Sequence, residues 1–154
     1  MELCNNNCFN ILPKIKEKSI DLVVVDLPYG QTDCKWDTVI DLNKMWVELK
    51  RCCKKGCVFV FFCTTKFGYN LIKSNEKWFR YDLVWEKTIA VGFLSANKMP
   101  LRKHEMIYVF KEFGGVYNPQ KTVGEPYIGK TGGDKGYKGY SIVQQVYINN
   151  IGTR

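Results

Sequence analysis

The sequence lacks the long apolar runs and the leader that mark membrane or secreted proteins. No apolar stretch approaches the roughly 18 to 20 residues that a helix needs to cross a bilayer, so no membrane partner is predicted. The start, MELCNNNCFN, has neither a basic region nor an apolar core, so no secretory signal is expected. We therefore predict a cytoplasmic protein, with a nuclear location as the alternative.

Histidine is nearly absent, because His104 is the only one in the chain. A zinc site needs four ligands that converge tetrahedrally, and the spacing of the seven cysteines does not supply a convincing set. An odd number of cysteines without a secretory signal also argues against a disulfide framework. No metal is predicted, and the cysteines are expected to be reduced and buried.

The composition is that of one compact, basic domain. The chain has 154 residues, 45% of them hydrophobic and 14% aromatic, which is enough for a single core. Its net charge is +8, and lysines occur along its whole length. This balance favours a polyanionic partner such as DNA, while a basic protein with solvated lysines is the simpler alternative.

Short apolar segments predict β-strands, and amphipathic segments between them predict helices. The helical pattern DLNKMWVELKRCCKKG has Asp41 as its cap and Gly56 near its end, and TKFGYNLIKSN is a weaker helical pattern. This order predicts an α/β fold with a mostly parallel sheet, flanking helices and strands covered on both faces. The predicted strands are Ile20–Asp26, Val58–Cys63, Tyr81–Trp85 and Met106–Phe110.

The composition changes after residue 112. Residues 113–154 hold nine of the 13 glycines and five of the nine tyrosines, with no sustained period. We therefore predict a core of residues 1–112 and a loop-rich extension of residues 113–154. Disorder is the simplest interpretation of this extension, although its interleaved tyrosines and lysines suit contact with nucleic acid.

The first strand ends in DLPYG, an unusual set of groups for a buried strand. Asp26 offers carboxylate acceptors, and Leu27 offers a backbone carbonyl in the geometry that Pro28 imposes. Tyr29 offers a flat aromatic face, and ligands of open α/β sheets bind beyond the carboxyl ends of strands. Two acceptors beside a ring suit a planar heterocycle with an exocyclic amine, whereas a plain proline turn is an equally good account of the pentapeptide alone.

The longer segment DLVVVDLPYGQTDCKWD resembles the catalytic segment of the DNA amino-methyltransferases. The resemblance implies methyl transfer from S-adenosylmethionine to an exocyclic amine, and an aspartate at its first position favours adenine over cytosine. Asp26 and the Leu27 carbonyl would then orient the amine, although Leu27 stands where the family usually has proline. Pro28 would fix the turn, Tyr29 would stack on the flipped base, and Gly30 would permit close approach.

Neighbouring segments extend the resemblance to the cofactor. CNNNCFNIL is similar to the family's Asn-Gly-Asp-Cys segment, which implies that Asn7, together with Asp26, contacts S-adenosylmethionine. FFCTTKF is similar to the next strand end, where Thr64 would line the cofactor cleft or simply cap a helix.

Other segments concern the substrate. Trp36 and Asp37 would border the base pocket, with a core tryptophan beside a solvated aspartate as the alternative. VWEK is similar to another strand end, where Lys87 would meet phosphate or be an ordinary surface lysine. YNPQKTVGEPY resembles the opening of the target-recognition region in the phage-like adenine branch.

The order of the segments is that of the permuted subgroup, in which the cofactor loop follows the recognition region. That subgroup's His-Pro-x-Gln-Lys-Pro and Asp-Pro-Phe-x-Gly-Ser-Gly segments do not occur in the sequence. The resemblance therefore implies a partial S-adenosylmethionine-dependent methyltransferase (Rossmann-like) fold that binds the cofactor weakly, or only with a second chain or missing segment. The alternatives are an inactive DNA-binding remnant, a subunit of a split enzyme, or an enzyme that methylates RNA or protein amines.

Overall fold

The computed structural model describes residues 2–114 and 117–119. The chain divides into the units Met1–Gly115 and Val116–Arg154. Of the predicted extension, only residues 113, 114 and 117–119 are described, so the rest of it, including most of the YNPQKTVGEPY segment, lies outside the described residues. No described helix is long and apolar enough to cross a membrane. The elements are α1 (Cys8–Ile11), β1 (Ile20–Asp26), α2 (Leu42–Cys52), β2 (Cys53–Cys63), α3 (Thr65–Ser74), β3 (Phe79–Val91) and β4 (Arg102–Lys111), with short 3-10 turns at Leu12–Lys14, Glu76–Trp78 and Phe93–Ser95.

The four strands form one sheet in the order β1-β2-β4-β3. β1 and β2 pair in parallel, as predicted, and the α/β fold class is confirmed. The sheet is mixed rather than mostly parallel, because β4 pairs antiparallel with both β2 and β3. Residues 92–101, which connect β3 to β4, are fewer than the dozen or more that a parallel crossover needs, so the chain reverses directly. β1, β2 and β3 therefore end at the same edge.

Helices α2 and α3 pack on one face of the sheet. The Trp46 ring of α2 lies 5.6 Å from the ring of Phe59 and 5.5 Å from that of Phe61, both on β2. Leu71 of α3 belongs to the same buried cluster. The Trp46 indole Nε1 donates to Ser74 Oγ at 2.8 Å, which ties the two helices together. The core therefore lies between these helices and one side of the sheet.

The opposite face of the sheet is much less covered. Leu22 and Val24 of β1 are 57% and 59% exposed, and Leu83 of β3 is 41% exposed. The expectation of strands covered on both faces is therefore wrong for the described part of the chain. The physical reason is that both helices lie on the same side, so alternate strand residues have no layer above them.

The boundary between α2 and β2 also differs from the prediction. Asp41 caps α2 as predicted, its Oδ1 accepting from the Lys44 N–H at 3.0 Å. The helix ends at Cys52, and Gly56, predicted near the helix end, lies inside β2 instead. Cys53 is buried in an extended backbone, so burial of its thiol favours the strand over another helical turn.

The cysteines are only partly buried, whereas the sequence predicts burial. Four free cysteines lie in the core, but Cys4, Cys8 and Cys34 are exposed. Cys4 and Cys34 lie outside helices and strands, and Cys8 begins the four-residue helix α1, which has no buried residue. The core four are Cys52, Cys53, Cys57 and Cys63.

Gly68 lets α3 approach the sheet closely, which generates a stability prediction. A Cβ at this position would lie 1.9 Å from Tyr108 Cε2 on β4. We expect Gly68→Ala to lower the free energy of unfolding by about 1 to 3 kcal/mol through overpacking, although alanine is the better helix former by about 1 kcal/mol. Urea unfolding measures the change.

Asn70→Ala is the matched control, because Asn70 is exposed on the same helix and its replacement should be neutral or slightly stabilising. Gly68→Ala combined with Tyr108→Leu should recover part of the loss by removing the ring. A stabilising effect of Gly68→Ala alone would contradict the packing.

Candidate active site

The parallel pairing of β1 and β2 creates the candidate site. Asp26, the last residue of β1, pairs with Phe62, and β2 ends one residue later at Cys63. Thr64 follows and caps α3, its Oγ1 accepting from the Phe67 N–H at 3.3 Å. Residues after both strands therefore meet at one edge of the sheet, as they do at ligand sites of α/β folds.

Asp26 and Tyr29 form the centre of this edge. Asp26 is exposed, and its Oδ1 accepts a hydrogen bond from the Tyr29 hydroxyl at 2.5 Å. The half-buried Tyr29 ring lies 5.3 Å from the Phe67 ring at 38°. Burial, and then the Asp26 carboxylate, hold the pKa of Tyr29 well above its ordinary value. Tyr29 is therefore a neutral phenol that donates to an exposed carboxylate.

Asp37 fixes the loop that contains most of the DLPYG motif, residues 27–37, which is called the motif loop below. Its Oδ1 accepts from the Gly30 N–H, and its Oδ2 accepts from the N–H groups of Gln31 and Thr32, each at 2.8 Å. The Thr32 hydroxyl also donates to Oδ2 at 2.8 Å. Burial opposes the charge on this carboxylate, but the hydrogen bonds, that from Gly30 foremost, hold the pKa of Asp37 well below its ordinary value. Asp37 thus acts on the backbone of the motif loop.

Gly30 occupies a position in this loop that disfavours other residues. Its φ is +64°, and a Cβ would lie 2.8 Å from Val39 Cγ2. The strained turn and the close approach of Val39 both require glycine, so the Asp37 contacts and Gly30 together define the loop conformation.

Gln31 links the motif loop to the adjacent strand end. Its Nε2 donates to Thr64 Oγ1 at 2.8 Å. Thr64 therefore caps α3 and also contacts the motif loop through Gln31. Sequence reasoning missed Gln31, because a glutamine after a turn carries no signal until the facing residue is known.

The remaining predicted site residues lie in different places. Asn7 caps α1, its Oδ1 accepting from the Phe9 N–H at 2.9 Å. Trp36 is 73% exposed in the motif loop, next to Asp37. Lys87, on β3, forms an ion pair with Glu105 of β4 in which both side chains are largely buried.

The thiol and metal chemistry of this edge is limited. Burial chiefly, and then the nearby Asp26 and Glu105 carboxylates, raise the pKa of Cys63 to about 12. Cys63 is therefore a neutral thiol and a poor nucleophile at ordinary pH. Within residues 2–114 and 117–119, no group of three or more His, Cys, Asp or Glu residues could hold a metal ion.

Sequence comparison gives one informative relative. The chain is 28% identical over 98 residues to the type II methyltransferase M1.MboII of Moraxella bovis. The match covers 56% of this chain and 37% of that protein, so the chain spans little more than a third of the relative's length. No protein-family profile matches the chain.

Comparison with solved structures gives the fold. M1.HpyAVI in complex with SAM matches with a TM-score of 0.53 and 15% identity, covering 80% of this chain and 62% of that one. A Thermus thermophilus protein, described as a DNA modification methylase, matches with a TM-score of 0.52 and 18% identity, over 72% and 52%. The chain therefore has the fold of part of a methyltransferase.

The Asp37 contacts generate a prediction about pH. A carboxyl group whose pKa is lower in the folded than in the unfolded state stabilises the folded protein at pH values above its ordinary pKa of about 3.9. This stability is lost as the pH falls from there toward the folded-state pKa. We expect Asp37→Asn to be less stable than the wild type at pH 7. The side-chain amide has only one oxygen that accepts hydrogen bonds, whereas the two Asp37 oxygens both accept from backbone N–H groups. The difference should shrink below about pH 4.

Urea unfolding at a series of pH values tests this expectation. Asp33→Asn is the matched control, because Asp33 is an exposed carboxylate of the same loop. A difference between wild type and Asp37→Asn that is the same at every pH would contradict the assigned role of the Asp37 charge.

Proposed function

We propose that this chain is part of an S-adenosylmethionine-dependent DNA methyltransferase that modifies the exocyclic amine of adenine. The observation that carries the proposal is the exposed Asp26 carboxylate at the end of β1, with Tyr29 directly against it. Its setting, a methyltransferase fold with sequence similarity to a type II methyltransferase, supports DNA as the substrate.

The chemistry of the site requires an orienting pair of acceptors. The exocyclic amine of adenine is a poor nucleophile, because its lone pair is delocalised into the ring. Asp26 and the Leu27 carbonyl accept hydrogen bonds from its two N–H groups and so direct its lone pair toward the methyl donor. Pro28 fixes the turn that positions the Leu27 carbonyl. S-adenosylmethionine would supply the methyl group from its sulfonium, and the surplus proton of the amine that these acceptors orient would pass to solvent. No strong base is needed.

Tyr29 has to change partners during this process. Its hydroxyl donates to Asp26 Oδ1 in the described state. The hydrogen bond from the incoming amine to this carboxylate therefore replaces the hydrogen bond from Tyr29. The base leaves the duplex stack at a cost of a few kcal/mol, and stacking on the Tyr29 ring offsets part of it. We assign adenine rather than cytosine because the acidic residue at the first motif position favours it.

The residues of the edge fit a cationic cofactor in part. S-adenosylmethionine supplies an electrophilic methyl group on a positively charged sulfonium, and the exposed Asp26 carboxylate suits such a charge. Thr64 lies at the adjacent strand end and would line the cofactor side of the edge. Asn7 would contact the cofactor through its amide group, although its Oδ1 serves the α1 cap in the described state.

Four further residues have proposed substrate roles. Gly30 permits close approach of the base, and Asp37 supports it by holding the Gly30 N–H. Trp36, exposed beside the motif, would border the flipped base. Lys87 would contact a phosphate through a second ammonium hydrogen while it remains paired with Glu105.

The uncovered sheet face favours a second candidate function. Leu22 and Val24 are exposed on β1, an edge strand of the described sheet. The chain covers only 62% of the matched M1.HpyAVI chain, so a remaining part of the fold would complete the sheet and the cofactor pocket. This part would be a second chain or a further segment, and without it the described chain would bind DNA but not transfer methyl groups.

Replacement of the two central residues tests the reaction. Asp26→Ala should reduce methyl transfer to unmethylated DNA by at least about 100-fold, because an orienting acceptor is lost. Tyr29→Phe keeps the ring and should stay within about tenfold of the wild type, whereas Tyr29→Ala loses stacking and should fall further. Transfer of radiolabel from S-adenosylmethionine is the measurement, with Asp33→Ala as the control carboxylate.

Calorimetric titration of S-adenosylmethionine into the same chain separates the two candidates. Cofactor binding with transfer supports the enzyme. Retained DNA binding without cofactor binding or transfer would assign the chain to the incomplete, partner-dependent candidate. Unchanged transfer by Asp26→Ala would contradict the assigned site.

A further inference from the structure

The strands β3 and β4 extend beyond the rest of the sheet at the edge that carries the candidate site. The last residue of β2, Cys63, pairs with Met106, so the β4 residues Arg102 to Glu105 continue past it with only β3 as a neighbour. At about 3.3 Å per residue this two-stranded ribbon projects roughly 13 Å beyond β2. The register that joins Val91 to Arg102 places the tip, residues 92–101, at its far end.

The tip is a folded turn that exposes apolar side chains. The turn begins at Gly92, whose φ is +95°. Two backbone hydrogen bonds stabilise it: the Ser95 N–H donates to the Gly92 carbonyl at 2.9 Å, and the Met99 N–H donates to the Ser95 carbonyl at 3.0 Å. A solvated loop would not be expected to present so many large apolar groups together. The exposed side chains of the ribbon and tip include Ile89 (76%), Phe93 (74%), Leu94 (88%) and Met99 (60%).

The charge of the same segment is of one sign. Residues 87–104 contain four lysines or arginines and no carboxylate. Lys87 and Lys103 pair with Glu105 and Glu86, at the base of the ribbon. Within the described part of the chain, Lys98 in the tip and Arg102 next to the tip make no ion pair and are exposed. The apolar tip is therefore flanked by cations, which suits a polyanion better than an ordinary protein surface.

We propose that this ribbon is a DNA-contacting wedge, an inference that rests on the proposed function in DNA methylation. A two-stranded ribbon fits the major groove of DNA, and apolar side chains such as Phe and Leu can insert between base steps. Phe93 and Leu94 contact the base stack, while Lys98 and Arg102 lie on phosphates. The wedge stabilises the opened duplex at the edge where Asp26 receives the extruded base.

Fluorescence anisotropy of the full 154-residue chain with a short labelled unmethylated duplex tests the wedge. The double change Phe93→Ala and Leu94→Ala should weaken binding at least about fivefold, as the loss of one stacking contact implies, with little change in salt dependence. Lys98→Gln with Arg102→Gln should lower the slope of log Kd against log salt by about 2.

The matched control is Tyr69→Ala with Val47→Ala, because these apolar side chains are 67% and 65% exposed on α3 and α2. A photoreactive benzophenone amino acid in place of Phe93 should crosslink to the duplex, and one in place of Tyr69 should not. Tip variants that bind as the control variant does, with no crosslink from position 93, would overturn the wedge while leaving the proposed function standing.

Two other outcomes have definite meanings. Self-association that depends on Phe93, with DNA affinity unaffected in the tip variants, would assign the surface to a second copy of the chain and overturn the proposal. Failure of the wild-type chain to bind DNA at all would contradict the proposed function and the wedge together. The titration of the wild-type chain with DNA distinguishes this outcome from a loss of the wedge alone.

Discussion

The parallel pairing of β1 with β2 is the constraint on which the site depends. It pairs Asp26 with Phe62, so that the residues after both strands, Thr64 among them, lie at one edge. Gln31 then links the two strand ends through a side-chain hydrogen bond to Thr64. Asp37 holds the motif loop in this position, because its carboxylate accepts from three successive backbone N–H groups. Sheet register, loop and helix cap therefore form one connected unit.

The sequence predicts the elements of this unit well, because they depend on local chemistry. The bounds of β1, the cap at Asp41 and the place of the motif at a strand end follow from apolar runs, capping residues and proline. The direction of β4 and the uncovered sheet face do not follow, since they depend on which elements become neighbours. The roles of Gln31 and Asp37 were equally inaccessible, because their side chains act on groups whose positions only the folded loop defines.

The Asp26–Tyr29 contact reconciles two demands on the same carboxylate. The proposed reaction requires an exposed acceptor for the amine, whereas without a ligand the carboxylate is stabilised by another hydrogen-bond donor. The Tyr29 hydroxyl meets the second demand in the described state. Because a hydrogen bond to a charged group contributes only about 1.5 to 3 kcal/mol net, its exchange for an amine donor leaves a small difference. The contact therefore protects the site without blocking it strongly.

The electrostatics of the edge explain how a polyanion could approach a site built around carboxylates. Unpaired negative charges would repel phosphates, but Glu105 is paired with Lys87 and Asp37 is surrounded by backbone donors. Glu86 is likewise paired with Lys103, whose hydrogen bond, and then its charge, hold the pKa of Glu86 below its ordinary value. Most of the local negative charge is thus compensated before DNA arrives. In the proposed reaction the exposed Asp26 carboxylate would accept from the amine, while the exposed cations Lys98 and Arg102 would face the phosphates.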